Sequence, residues 1–81
     1  MPLQIEVRGW RAEDVPPVVD KYIQDAYLAG LPSVRIVHGK GTGTLRRLVR
    51  GQLASNSLVR NMRQPESRDG GEGVTVVELA N

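Results

Sequence analysis

The segment Leu3-Gln4-Ile5-Glu6-Val7 alternates apolar and polar residues, which predicts a strand with Leu3, Ile5 and Val7 on a covered face and Gln4, Glu6 and Arg8 on the other. Arg8 to Arg11 then reads as a turn. From Ala12 to Ala29 the apolar residues Val15, Val18, Val19, Tyr22, Ile23, Ala26 and Ala29 recur at helical spacing. Pro16 and Pro17 fit a helix only near its start, so an irregular first turn is expected, with Asp14 as its candidate cap. Gly30, followed by Pro32, is the natural stop. Ser33 to Val37 is a β-branched strand, and Thr44 to Ser55 a second helix burying Leu45, Leu48, Val49 and Leu53. That leaves Arg46, Arg47 and Arg50 on its flank and outer surface. Leu58 to Gln64 alternates and carries arginines, which suits an edge strand. After the loop Pro65 to Gly73, Val74 to Leu79 is almost continuously apolar, which suits a central strand.

The order βαβαββ predicts an α/β fold, four strands with two helices on one face of the sheet. Right-handed crossovers make the first two strands parallel and bring their C-terminal ends together, where ligands of open α/β sheets bind. Arg8-Gly9-Trp10 is therefore expected beside His38 to Gly43. The sheet's second face is expected to be open, with Glu6, Arg8 and Arg35 within reach of a substrate. The 81 residues form one domain, 1–81. The chain lacks Phe, so Val, Leu and Ile must fill the core. Trp10 either closes the end of that core, the preferred expectation, or stacks on an unpaired base.

Between the second strand and second helix lies His38-Gly39-Lys40-Gly41-Thr42-Gly43. Glycines at alternate positions let a backbone turn sharply and approach a ligand. A helix N-terminus following directly adds unpaired N–H groups and about half a positive charge, which favours a phosphate, with Lys40 as a mobile charge beside it. Thr42 is either a helix cap or a substrate contact. A P-loop requires G-x-x-x-x-G-K-[ST], which is absent. The dinucleotide fingerprint requires G-x-G-x-x-G and a later acid, and both are missing here.

Net charge is only +2, from 11 basic and 9 acidic residues, but its distribution is uneven. No Asp or Glu occurs between Ala26 and Pro65, where Arg35, Lys40, Arg46, Arg47, Arg50, Arg60 and Arg63 all fall. Such clustering around an anion loop points to a long polyanion, the alternative being a solvated basic face of no function. There is no cysteine, which excludes disulfide scaffolds and Cys-ligated zinc. No membrane span or signal segment is visible, so a cytoplasmic location and no membrane partner are expected.

Three stretches carry a family resemblance: Ile5-Glu6-Val7-Arg8-Gly9, His38-Gly39-Lys40-Gly41-Thr42-Gly43, and Gly70-Gly71-Glu72-Gly73-Val74-Thr75-Val76-Val77-Glu78-Leu79. In that order they resemble the Smr (small MutS-related) domain found at the C-terminus of the second type of bacterial MutS protein. Glu6 stands where the family usually has Asp, and Arg8 is one of its two usual residues. The resemblance implies a fold similar to the C-terminal domain of translation initiation factor three, an α/β two-layer sandwich whose four-stranded mixed sheet has order 1-2-4-3 with one antiparallel strand. It also implies nucleic-acid binding and nicking endonuclease activity on DNA or RNA, in recombination control, DNA repair or ribosome rescue. An ATPase and clamp portion would lie in cis in a longer parent, making this chain a C-terminal fragment. The ribosome is a further expected partner.

Phosphodiester hydrolysis needs a positioned water, stabilised phosphoryl charge and help for the leaving oxygen. The candidates are His38 as general acid or base, Glu6 as water activator, and Arg8 with Lys40 as charge stabilisers. His38 has a structural alternative, bracing the loop through its ring nitrogens. Phosphate contacts are expected from Gly39, Lys40, Gly41, Thr42, Gly43, Arg11, Arg46, Arg47 and Arg50. No tightly bound cofactor is expected; a divalent cation, Mg²⁺ or Mn²⁺, is expected only for cleavage, with Glu6 assisted by Glu78 or substrate oxygens. A non-catalytic nucleic-acid or ribosome-binding module is the alternative function.

Overall fold

The computed structural model describes residues 1–81. Its elements are β1 (Gln4–Glu6), α1 (Val15–Leu28), β2 (Ser33–Val37), α2 (Thr44–Ala54), β3 (Val59–Arg63) and β4 (Val74–Leu79), with single 3₁₀ turns at Ala12–Asp14, Ser67–Asp69 and Gly71–Gly73. The sheet order is β1-β2-β4-β3. β1 and β2 are parallel, and β4 runs antiparallel to both of its neighbours, β2 and β3. The α/β sandwich with a mixed four-stranded sheet and two helices is therefore the one expected. No helix is long and apolar enough to cross a membrane.

One face of the sheet carries the core. Val34 and Ile36 of β2 and Val77 and Leu79 of β4 pack with Val15, Val19, Ile23 and Ala26 of α1 and Val49 and Leu53 of α2. β4 is covered on both faces, as its continuous apolar run required: Val74 and Val76, which point away from the helices, are 4% and 6% exposed. The second face is thus not fully open. The segment after β3 returns over it, with Gly70 packed on Val74. Arg35 holds that segment, donating from Nη2 to the Asp69 carbonyl (2.7 Å) and from Nε to Gln4 Oε1 (3.3 Å). Arg35 is therefore committed to the fold.

Three local expectations change for physical reasons. Burial tapers along edge strand β1 from Val7, fully buried, through half-buried Ile5 to Leu3, 63% exposed, because cover from the helix thins out along the edge. Asp14 occupies the cap position of α1 without a side-chain cap bond. A cap must accept from the second or third helical amide, and those positions are Pro16 and Pro17, which have no N–H. Trp10 does not close the core; it is 41% exposed and stands outside the cluster in which Val7 and Val15 are fully buried.

Two glycines give opposite expected outcomes. Gly51 lies inside α2 with ordinary φ and open space where a Cβ would stand, so Gly51→Ala should stabilise by about 0.5–1 kcal/mol. Gly70 has φ +117° and an added Cβ would lie 2.4 Å from Val74 Cγ2, so Gly70→Ala should destabilise by roughly 1–3 kcal/mol. Urea unfolding of both variants checks the pair; a stabilising Gly70→Ala would mean that the segment does not pack on Val74.

Candidate nucleic-acid interface

The parallel pairing of β1 and β2 sets the site's frame, with Glu6 opposite Val37 and the Val7 amide donating to the Val37 carbonyl at 2.9 Å. Both strands then end, placing Arg8 and Gly9 beside the loop that starts at His38. In the loop, Gly39, Gly41 and Gly43 all have positive φ, at +78°, +44° and +86°. Side chains rarely adopt such angles, so the alternating glycines are required by the path of the chain. An added Cβ at Gly39 would also lie 2.9 Å from Arg8 Cγ, so the arginine stem crosses directly over this glycine.

The loop delivers unpaired donors. The amides of Lys40, Gly41 and Thr42 donate to no backbone carbonyl. Gly43 is the N-cap of α2 and no side chain caps the helix. The first-turn amides of Thr44, Leu45 and Arg46 therefore lack the intrahelical partners that later residues have. Thr42 does not cap; its Oγ1 pairs with Thr44 Oγ1 at 2.8 Å. The contrast with α1 is informative, because there the Val15 amide is bonded to Ala12 and two prolines remove the next donors.

His38 continues the phase of Val34 and Ile36, so its ring points into the helix-covered layer and is 3% exposed. Nδ1 lies 2.9 Å from the Gly39 carbonyl and Nε2 2.9 Å from Thr75 Oγ1. A carbonyl only accepts, so Nδ1 carries the proton and Nε2 accepts from the Thr75 hydroxyl. Thr75 in turn accepts from Arg50 Nε at 3.2 Å. This chain of bonds suits a neutral imidazole. Burial, opposed by the Gly39 carbonyl and reinforced by the positive charges of Arg50 and Arg46, pushes the His38 pKa below its usual 6.5. Both ring nitrogens are engaged inside the protein, which is the bracing geometry.

Of the other expected residues, all but Glu6, Arg11 and Arg50 line two clefts of about 250 Å³ each that share the loop. One is lined by Arg8, Gly9 and His38 through Leu45; the other by Lys40 through Gly43 with Arg46, Arg47 and Glu72. Lys40 is exposed and borders both. Glu6 stands outside these walls but is tied to one of them by an ion pair with Arg8. Arg47 lies over Gly43, with Nη1 3.0 Å from where a Cβ would be. Arg46 is half-buried and donates to Gln64 (3.1 Å), while its Nε is buried without an acceptor. Arg50 is half-buried beside Val49 and Leu53; its Nε serves Thr75 and its Nη2 is buried without an acceptor. Arg11 lines neither cleft and lies 3.9 Å from Glu13.

The residues do not make a divalent-cation cage. No three His, Asp or Glu side chains converge anywhere in the chain. Glu78, the expected helper of Glu6, pairs with Arg60 and Arg63 and stands opposite Ser33, at the far end of β2 from the site. β4 runs antiparallel, and that direction carries Glu78 away. Sequence reasoning missed Thr75, Gly73 and Glu72. The single hydroxyl in the run Val74 to Val77, in phase with buried Val77, was the available signal for Thr75.

The Smr domain family matches residues 5–80. This chain is an Smr domain. It is 48% identical over 95% of its length to endonuclease MutS2 of Pelotomaculum thermopropionicum and 49% identical over 95% to that of a Geobacillus species. It spans about a tenth of those relatives. The Smr domain of Thermus thermophilus MutS2 superposes with TM-score 0.93 at 35% identity, covering 96% of this chain and 98% of that one. YdaL, a stand-alone small MutS-related protein of Escherichia coli, superposes with TM-score 0.91 at 26% identity, covering 98% and 65%.

The hydrogen-bond chain through Thr75 generates the next predictions. Thr75→Val keeps the shape but leaves His38 Nε2 and Arg50 Nε unpaired, and should cost about 1–3 kcal/mol in urea unfolding, whereas Thr75→Ser should cost less. A neutral result for Thr75→Val would mean the hydroxyl bridges nothing. Since the folded pKa of His38 lies below the unfolded one, the unfolded chain holds more protons between them. Stability is then complete above pH about 6.5 and declines as pH falls below it. His38→Gln should flatten that part of the profile; parallel profiles would show that the ring titrates freely.

Proposed function

We propose that this Smr domain grips a polynucleotide by its phosphates and nicks it, acting on DNA or RNA with little sequence preference. The observation that carries the proposal is the glycine loop with its unpaired amides running into an uncapped helix. Lys40 stands at its tip and arginines on both flanks. Amides and cations held in advance at one place stabilise charge on phosphoryl oxygens without reorganising. In this reading Lys40, the loop amides and Arg8 hold the phosphate, Arg46 and Arg47 hold a neighbouring one, and Glu6, oriented by Arg8, takes a proton from water. His38 acts as a positioning residue that keeps the loop in register. The parent role we propose is in recombination control, DNA repair or ribosome rescue, with the ATPase portion in cis.

One observation favours a second reading, a binding module without catalysis. The only histidine has both ring nitrogens occupied, and Glu6 is already paired with Arg8. Incubation with supercoiled plasmid and with single-stranded RNA, with and without Mg²⁺ or Mn²⁺, separates the two. Nicking that falls by roughly 10²–10⁴ in Glu6→Gln while binding stays intact supports catalysis. Binding without nicking supports the module.

Binding itself has a graded signature. Affinity should fall with salt by roughly 0.7–0.9 log units per log salt for each phosphate contact. Lys40→Ala and Arg47→Ala should each lower that slope by about one contact, and Arg50→Ala, whose guanidinium faces Thr75, should leave it unchanged. Gly41→Val should weaken binding more than Lys40→Ala, because it forces a β-branched residue to positive φ. Fluorescence anisotropy of a labelled oligonucleotide measures all four; a slope that moves only with Arg50 would relocate the interface.

A further inference from the structure

Trp10 is the chain's only tryptophan, and Phe is absent. A small aliphatic core would gain most from burying an indole, yet this one is 41% exposed. It lies on the turn that leaves β1, where its amide donates to the Val7 carbonyl at 3.0 Å and Gly9 takes φ +82°. Its neighbours Arg8 and Gly9 line the cleft on one side of the loop. Trp10 therefore follows directly in the chain on two residues that form the wall of the proposed phosphate site.

Its surroundings narrow what it can meet. The other large exposed apolar residues are Met1, Leu3 and Leu28. Met1 and Leu3 precede β1 and Leu28 ends α1, so they lie away from the turn that follows β1. The charges around Trp10 in the chain are mixed: Arg8 is paired with Glu6, Arg11 lies 3.9 Å from Glu13, and Asp14 follows. A protein-docking patch would be a continuous apolar surface. A lone exposed indole next to a phosphate cleft instead matches a ligand that combines a flat π-face with an anionic backbone.

Resting on the phosphate reading above, we infer that Trp10 is a stacking platform for an unpaired base. The substrate class is then a strand with at least one unstacked nucleotide beside the phosphate held by the Gly39–Gly43 loop. Intact duplex hides its base faces within the stack and offers Trp10 nothing. Stacking tolerates any base, which agrees with weak sequence preference.

The sole tryptophan makes the inference directly measurable. The 81-residue chain is titrated with an oligothymidylate, an oligouridylate and a blunt duplex of the same length, reading indole fluorescence and oligonucleotide anisotropy together. Both single strands should quench the indole and the duplex should not. Trp10→Leu should weaken single-strand binding roughly five- to a hundredfold and leave duplex binding unchanged, and Trp10→Phe should recover most of the loss. Quenching by only one single strand identifies the polynucleotide and keeps the inference. Single-strand binding without quenching, or equal losses on strand and duplex in Trp10→Leu, overturns it. If none of the three ligands binds, the phosphate reading itself fails and this inference falls with it.

Discussion

The carbonyl oxygen of Gly73 accepts two amides, those of His38 at 3.1 Å and Gly39 at 2.9 Å, and the site depends on that clamp. It ties the start of the glycine loop to the entry of β4. Gly73 lies against the loop in ordinary contact, since an added Cβ would lie 3.5 Å from the Gly39 Cα, so the clamp is made by the backbone itself. Below the clamp, the His38 ring fixes the Gly39 carbonyl, Thr75 fixes the ring and Arg50 fixes Thr75. Strand, loop and helix are thus joined by polar bonds in a layer that otherwise contains aliphatic side chains. Buried networks of this kind specify one geometry because a half-satisfied alternative is costly.

The electrostatics follow from that geometry. Both helices begin near turns, but only α2 begins with free amides, since prolines strip the donors from α1. The loop turns those amides outward, and Lys40, Arg8, Arg46 and Arg47 surround them. Glu72, the acid lining these clefts, lies among the arginines of the second one and keeps that side from being uniformly positive. A phosphate chain laid across the loop therefore meets different chemistry on each side.

Much of this was legible in the sequence because burial imposed periodicity. β4 read as central from its nearly continuous apolar run, and α2 read correctly from Leu45, Leu48, Val49 and Leu53. The glycine loop was legible because alternate glycines have few explanations besides positive φ. What stayed hidden depended on pairing across the fold. Arg50 looked like a surface cation until Thr75 was placed opposite it, Glu78 looked available to Glu6 until the direction of β4 was fixed, and Trp10 looked like core until the aliphatic cluster was seen to form without it. Asp14 is different, because two prolines following a candidate cap already deny it the amides it needs, and that was visible in the chain.

The central claim is that backbone amides of the loop and of the first turn of α2 hold a phosphate. Titrating the ¹⁵N-labelled domain with a short oligonucleotide and following amide shifts by NMR tests it most directly. The account predicts saturable shifts, with one common affinity, at Lys40, Gly41, Thr42 and Thr44 to Arg46, while Ser55 to Leu58 at the other end of α2 stay unmoved. Shifts centred on Arg60 and Arg63 of β3, with the loop silent, would contradict it.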